Sequence, residues 1–240
     1  MSDRELALVF GGSRGIGAAC VDALLCAAFD VAYTATAETK PVAARGHGRA
    51  ACYAVDVRDA AGVARTFGDA QRDFGRPVRA LIANAGINVP PGLLAQFPDD
   101  RFRELLEVNL VGAFHVLREG ARQVADGGSI VALTTSMVRT APAGLSAYAA
   151  TKAAVEVFVR ALAKELAARR VRVNAVAPGP VDTDLFRAGK SDEMKARSAA
   201  LSPFNRVGRA EEVATVVRFL ASEEASWVNG QIIQPNGGMV

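Results

Sequence analysis

The feature that most limits what this chain can fold into is a repeated alternation of two hydrophobic periods. Short apolar runs lie at residues 6–10, 31–35, 51–55, 78–83, 130–135, 171–176 and 231–233. Between them, stretches at 15–28, 60–74, 100–124, 147–168 and 211–221 carry apolar residues at helical spacing. Runs that are apolar throughout, rather than at every second residue, read as strands buried on both faces. This alternation predicts an α/β fold: a doubly wound parallel sheet of about seven strands, helices on both faces, joined by right-handed crossovers. Half of the 240 residues are hydrophobic, enough for one large core, and no repeat or Pro/Ser-rich linker divides the chain. A single domain over 1–240 is therefore expected. One stretch breaks the rhythm. Residues 182–208 are polar, carry Gly189 and Pro203, and follow the stiff Pro178-Gly179-Pro180; a long insertion after a strand in such a fold reads as a substrate lid.

Charge and cysteine content narrow the function classes. Lys and Arg number 28 against 25 Asp and Glu, a formal net charge of +3, too small a surplus for an electrostatic footprint on nucleic acid. Three cysteines (Cys20, Cys26, Cys52) and two histidines (His47, His115) show no CxxC or HxxxH spacing, so no metal is expected. An odd, sparse cysteine set argues for a reducing compartment. The charged N-terminal residues lack a signal-peptide apolar region, and no apolar stretch approaches the roughly 18 residues of a membrane span. The expectation is a cytoplasmic protein with neither a membrane nor a nucleic-acid partner. The cysteines read as small packing residues and Trp227 as structural.

Two local patterns carry chemistry. The first apolar run enters Gly11-Gly12-Ser13-Arg14-Gly15-Ile16-Gly17, and a helical pattern follows. Glycines let a backbone approach a pyrophosphate closely, and the helix start behind them offers unpaired N–H groups and partial positive charge. The second pattern is Tyr148-Ala149-Ala150-Thr151-Lys152. At i and i+4 of one helix, Tyr148 and Lys152 share a face. A free phenol with a pKa near 10 is a poor base at neutral pH; a neighbouring ammonium lowers that value and tunes the hydroxyl for proton transfer.

The Gly-x3-Gly-x-Gly spacing, Asn84-Ala85-Gly86 after the fourth run and Tyr148-x3-Lys152, in this order, resemble the short-chain dehydrogenase/reductase family. The closest likeness is to its 3-oxoacyl-[acyl-carrier-protein] reductase-like branch. The resemblance covers nearly the whole chain and implies a Rossmann-type sheet. It implies that Gly11, Ser13, Arg14, Gly15, Ile16 and Gly17 hold a dinucleotide's phosphates, and that Asp56 and Val57 meet its adenine ring. Asn84, Ala85 and Gly86 would border the cofactor, as would Pro178 and Gly179, with the Val181 backbone and the Thr183 hydroxyl contacting the carboxamide and phosphates. The family usually has Thr before the first glycine; Phe10 stands here, so one turn-stabilising hydrogen bond is expected to be missing. NAD-dependent Rossmann proteins end the second strand with Asp or Glu. This chain has Tyr33-Thr34-Ala35-Thr36 and no carboxylate before Glu38. With Arg14 in the turn to hold a 2′-phosphate, and Thr34, Thr36 and Lys40 as further donors, NADP(H) is expected in preference to NAD(H).

The same resemblance implies hydride transfer between the nicotinamide and a ketone or secondary alcohol, with Tyr148 as acid/base. Lys152 would lower the Tyr148 pKa and bind the nicotinamide ribose, and Asn109 would anchor a water-linked relay. The hydroxyl that orients the substrate oxygen usually stands thirteen residues before the Tyr. That position is Thr135, and Ser136 follows it. Either hydroxyl suits the role; Ser136 is favoured on residue type, with Thr135 its rival. Leu185, Phe186, Met194 and Phe204 in the lid imply an apolar or aromatic ketone, or a 3-oxoacyl thioester. Family members pair through helices like 100–124 and 147–168, here rich in apolar residues (Val155, Val157, Phe158, Leu162, Leu166), which implies a homotetramer or homodimer. Arg169-Arg170 hint at docking of acyl carrier protein. Two other readings fit the residues less well. A non-catalytic dinucleotide-binding sensor or scaffold would need no Tyr148, Lys152 and Asn109 together, and a sugar epimerase or dehydratase needs a larger C-terminal region than the chain provides.

Overall fold

Strand β1 (Glu5–Phe10) shows why the sheet is covered on both sides. Its alternate residues Leu6, Leu8 and Phe10 enter one buried cluster, and Ala7 and Val9 enter another. A parallel strand flanked by crossover helices has no solvent face, so every position selects for an apolar residue. In the computed structural model, which describes residues 4–36, 48–188 and 190–240, β1 is joined by β2 (Phe29–Ala35), β3 (Ala50–Ala54), β4 (Val78–Ala83), β5 (Ser129–Leu133) and β6 (Arg172–Val176). Two short pieces, β7 (Val181–Asp182) and β8 (Gly208–Arg209), pair only with each other, and β9 (Ile232–Ile233) closes the main sheet. The seven-stranded sheet runs in the order β3-β2-β1-β4-β5-β6-β9, all neighbours parallel.

Helices α1 (Gly15–Leu25) and α9 (Ala210–Ala221) cover one face, burying Cys20, Val21 and Leu24 beside Val213, Val217 and Leu220. Helices α2 (Ala60–Phe74), α4 (Ala113–Gln123) and α6 (Ser146–Glu165) cover the other, where Phe67 meets Phe10 with ring centroids 5.8 Å apart. Local signals set their ends. The Asp59 carboxylate accepts from Ala61 N–H at 3.0 Å to start α2, and Gly75 at φ +67° stops it, the usual division between an N-cap acceptor and a left-handed C-terminal glycine. Glu212 accepts from Arg209 N–H at 2.8 Å at the start of α9, where the helix dipole also favours a carboxylate.

Three sequence expectations change. The helix expected over 100–124 is three pieces: α3 (Asp99–Leu105), a π-helical stretch (Leu106–Gly112) and α4. Periodicity detects the amphipathic face but not the extra residue that a π turn inserts. The lid region is not a plain loop: it holds α7 (Asp184–Arg187), capped by Thr183 Oγ1, and α8 (Asp192–Ala200), capped by Ser191 Oγ. Trp227 is 98% exposed and so is not a core residue. The short α5 (Met137–Thr140) follows β5. Lys40, Glu38, His47 and Gly189 lie outside the described residues. Within the described residues, no helix is long and apolar enough to cross a membrane.

Candidate active site

In this strand order the chain leaves β1 toward β2 on one side and returns to β4 on the other. The crevice between the C-terminal ends of β1 and β4 is where a doubly wound sheet opens to a ligand. The glycine-rich turn leaves β1 there. Gly11 lies at φ +78°, and a Cβ on it would stand 2.8 Å from Ala85 Cα; a Cβ on Gly17 would strike the Gly11 carbonyl oxygen. Two backbones therefore touch where side chains would keep them apart. Asn84 Nδ2 donates to Gly11 O at 2.7 Å and ties the end of β4 to the turn.

The cradle suits a pyrophosphate on its own geometry. Helix α1 has no side-chain N-cap and no acid in its first turn, so its leading N–H groups are open to an anion. The Arg14 side chain is exposed and makes no hydrogen bond or ion pair among the described residues. Across the crevice, a Cβ at Gly15 would approach Thr183 Cγ2 to 3.4 Å, so Thr183 faces the turn. Ser13 and Ile16 flank it, half-buried. Thr34 is buried, and its hydroxyl oxygen accepts from Gly11 N–H at 3.0 Å. The hydroxyl expected to be lost with Phe10 is thus replaced from the neighbouring strand. Beyond the end of β2 a cleft of about 330 Å³ is lined by Thr36, Tyr53, Asp56, Asp59 and Arg65, among others. Asp56 Oδ1 and Oδ2 accept from Arg58 Nε at 3.0 and 2.9 Å, and this hydrogen bonding holds the Asp56 carboxyl below its ordinary range. Val57 is buried beside it.

Tyr148 and Lys152 lie one turn apart on α6. Lys152 Nζ is buried and donates to Leu133 O at 2.9 Å. The π-helical stretch turns Asn109 fully inward. Its Oδ1 accepts from Ile87 N–H at 2.8 Å and its Nδ2 donates to Ile87 O at 2.9 Å. A Cβ on Gly86 would lie 3.1 Å from Asn109 Oδ1 and 3.2 Å from Lys152 Nζ, so the chain beyond β4, the π stretch and α6 converge on one spot. π turns recur at such sites because the inserted residue re-aims a side chain.

Electrostatically, burial dominates. It pushes the Tyr148 phenol up to about 12 and pulls the Lys152 ammonium down to about 8. Desolvation is the cause of both shifts. The phenol therefore keeps its proton at neutral pH.

The candidate hydroxyls separate clearly. Ser136 is 0% exposed; its Oγ donates to Ala177 O at 2.7 Å and accepts from Asn236 Nδ2 at 3.1 Å. Thr135 Oγ1 accepts only a 3.3 Å contact from Met137 N–H among the described residues, which leaves its proton free to donate. Pro178 accepts from Ser136 N–H at 2.9 Å, and Gly179 packs against Asn236. Sequence reasoning missed Asn236, although Asn236-Gly237-Gly238 is a strong turn signal. It also missed Glu156, one turn beyond Lys152, whose Oε1 accepts from Thr134 Oγ1 at 3.3 Å. Arg169 is engaged internally: Nε pairs with Asp126 Oδ1 at 2.7 Å, and the guanidinium also donates to the carbonyls of Ala121 and Val124.

A phosphate-ready turn on a doubly wound parallel sheet, with a Tyr/Lys pair one turn apart on α6, defines an oxidoreductase of the dinucleotide-binding α/β class. The chain belongs to the short-chain dehydrogenase/reductase family; the family profile described as enoyl-(acyl carrier protein) reductase matches residues 11–240. It is 40% identical to an NADPH-dependent aldehyde reductase-like protein, chloroplastic, of Arabidopsis thaliana over 98% of this chain and 94% of that one. It is 36% identical to the 3-oxoacyl-[acyl-carrier-protein] reductase FabG of Salmonella typhimurium, covering 98% and 97% of the two chains. Among solved structures, a short chain dehydrogenase from Burkholderia cenocepacia in complex with NADP superposes with a TM-score of 0.87 at 32% identity, covering 98% and 97%.

Because the folded Lys152 pKa lies below the unfolded value of 10.5, the unfolded state binds more protons between about pH 8 and 10.5. This group's contribution to stability therefore rises with pH through that window. In NMR of ¹⁵N-lysine-labelled protein, one amine should titrate with a midpoint near 8 and vanish in Lys152→Met; a midpoint above 10 for every lysine would show the ammonium to be solvated.

Proposed function

We infer that the chain is an NADP(H)-dependent reductase converting a ketone to a secondary alcohol, or the reverse, in the cytoplasm. The observation that supports this reading is that Lys152 Nζ, one helical turn from Tyr148, and Asn109 Oδ1 both approach Gly86, on the segment after β4 that Asn84 ties to the glycine-rich turn. NADP(H) is favoured over NAD(H) by the exposed Arg14 in the turn and by the absence of a carboxylate at the end of β2. The names of two relatives, an NADPH-dependent aldehyde reductase-like protein and a 3-oxoacyl-[acyl-carrier-protein] reductase, point the same way.

When bound, the nicotinamide supplies the hydride. The protein's part is to place the carbonyl and deliver a proton. Tyr148 Oη donates to the carbonyl oxygen, and burial keeps that proton on the phenol until a base as strong as a forming alkoxide takes it. We assign the orienting hydroxyl to Thr135, since Ser136 is already bonded at both its proton and its lone pair. Lys152 places a positive charge behind Tyr148 while it is protonated, and Asn109 holds the loop after β4 in place. Residues 182–208 act as the lid, and Leu185, Phe186, Met194 and Phe204 give it apolar substance for an aromatic or acyl ketone. Phe114 on α4 (42% exposed) and Val157 on α6 (57% exposed) leave apolar surface for a homodimer or homotetramer. For acyl carrier protein, Arg170 is the one member of its pair left at the surface, because Arg169 is bonded within the chain.

Absorbance at 340 nm should fall when NADPH meets a panel of acetoacetyl thioesters and aromatic diketones. Tyr148→Phe should lower kcat about 10²–10⁴-fold and Thr135→Ala about 10²–10³-fold, with NADPH still bound. No turnover by wild type anywhere in the panel sinks the reductase reading, and a Thr135→Ala enzyme as active as wild type sinks that assignment. Arg14→Gln should weaken NADPH about 10- to 10²-fold, as expected for a charge-assisted phosphate contact, and leave NADH nearly unchanged in fluorescence titrations; equal losses would remove the 2′-phosphate role. Light scattering should give a mass at least double that of one chain, 25.1 kDa; a monomeric mass refutes the assembly.

A further inference from the structure

The C-terminal turn at 236–239 ties together three parts of the site that are remote in sequence. Asn236 is buried, and both ends of its amide are used. Its Nδ2 donates to Ser136 Oγ at 3.1 Å, a hundred residues away. Its Oδ1 accepts from Gly238 N–H at 3.0 Å and Met239 N–H at 3.1 Å. The second part is the Pro178-Gly179 segment: Gly179 N–H donates to Pro235 O at 3.3 Å, and a Cβ on Gly179 would come within 2.9 Å of Asn236 Cβ. The third is the end of the lid. Ser202 is buried, its Oγ donates to Gly237 O at 2.8 Å, and Phe204 N–H donates back to that Oγ at 3.1 Å.

Ser136 completes the link. Its N–H donates to Pro178 O and its hydroxyl to Ala177 O, so the residue next to Thr135 is held at three points, one of them supplied by Asn236. A hydroxyl that is fully buried and bonded at both proton and lone pair fixes the backbone on either side of it. Leaving any one partner unpaired there is costly. Nothing in the bonding of Tyr148 or Lys152 requires Asn236, so its buried amide is explained by the turn it pins.

Resting on the reductase reading above, we propose that Asn236 and Ser136 form a positioning pair that sets Thr135 and the Gly179 segment against the base of the lid. The pair does not touch the reacting atoms. It acts on the placement of the residue that does, and displacements of about 1 Å at a reacting centre can cost about 10² in rate.

The test separates the two halves of the Asn236 amide. Asn236→Asp keeps an oxygen for Gly238 and Met239 N–H but, ionised, has no donor for Ser136; Ser136→Ala removes the acceptor. Each should lower kcat about 10- to 30-fold with KM for the carbonyl changed less than threefold, a split expected of misplacement rather than lost binding. The double variant should be no worse than the poorer single one, because the two residues act through one bond. Multiplying losses, or an Asn236→Asp enzyme with wild-type kcat, would overturn the pair. A second readout is independent of turnover. In cofactor-free protein, amide exchange at 135–137 and at Gly179 should rise about 10-fold or more in Asn236→Asp, as local opening becomes easier, while exchange in β1 stays unchanged. Unchanged exchange at 135–137 overturns the positioning role even if the wild type proves to be no reductase. Turnover absent from wild type, with exchange raised as stated, removes the reductase reading and leaves the link intact.

Discussion

The site depends on one close approach, where the backbone of the turn after β1 meets the backbone after β4. Gly11 reaches to within a Cβ's width of Ala85, and Asn84 holds the contact with a 2.7 Å bond to Gly11 O. The parallel order β3-β2-β1-β4-β5-β6-β9 brings these two strand ends side by side at the point where the connection reverses. The same contact sets where α1 begins, and so where its unpaired N–H groups aim. A side chain at Gly11 or Gly17 would push the turn off β4 and close the crevice. Thr34 supports the arrangement from the far side by accepting from Gly11 N–H, a bond that links β2 to the turn as well.

Burial is the second constraint. Lys152 lies in the sheet-facing side of α6 with one carbonyl partner, Leu133 O. A cation desolvated to this degree is costly, which is why the ammonium loses its proton more readily than an exposed lysine. The same dryness raises the Tyr148 phenol, so its proton remains in place until a strong acceptor arrives.

Much of this was legible in the residues. The seven apolar runs all became strands of one sheet; the inner strands, buried on both faces, must be apolar at nearly every position, while the edge strands β3 and β9 are apolar though only half-buried. The glycine-rich turn was legible for a similar reason: only glycine fits where two backbones touch. Helix ends drifted by a few residues, as at α1, which stops at Leu25 rather than 28. The π stretch around Asn109 left no mark in the periodicity, since one inserted residue rotates the face only locally. The orienting hydroxyl could not be decided from Thr135-Ser136 alone, because adjacent residues of one type differ only in where the chain points them.

What the sequence determined by itself was the fold class, the glycine-rich turn after β1 and the placing of Tyr148 and Lys152 on one helix face, each dictated by local pattern or by spacing along one helix. What only the tertiary structure decided were contacts between residues far apart in the chain. These are the Asn236 bond to Ser136, the Thr34 hydroxyl beneath Gly11, the internal bonding of Arg169 and the Thr134 bond to Glu156. The physical reason is common to all four. A polar side chain's partner is set by which strand ends and loops the sheet order brings together, and a chain read residue by residue records what can bond but not what will be near it.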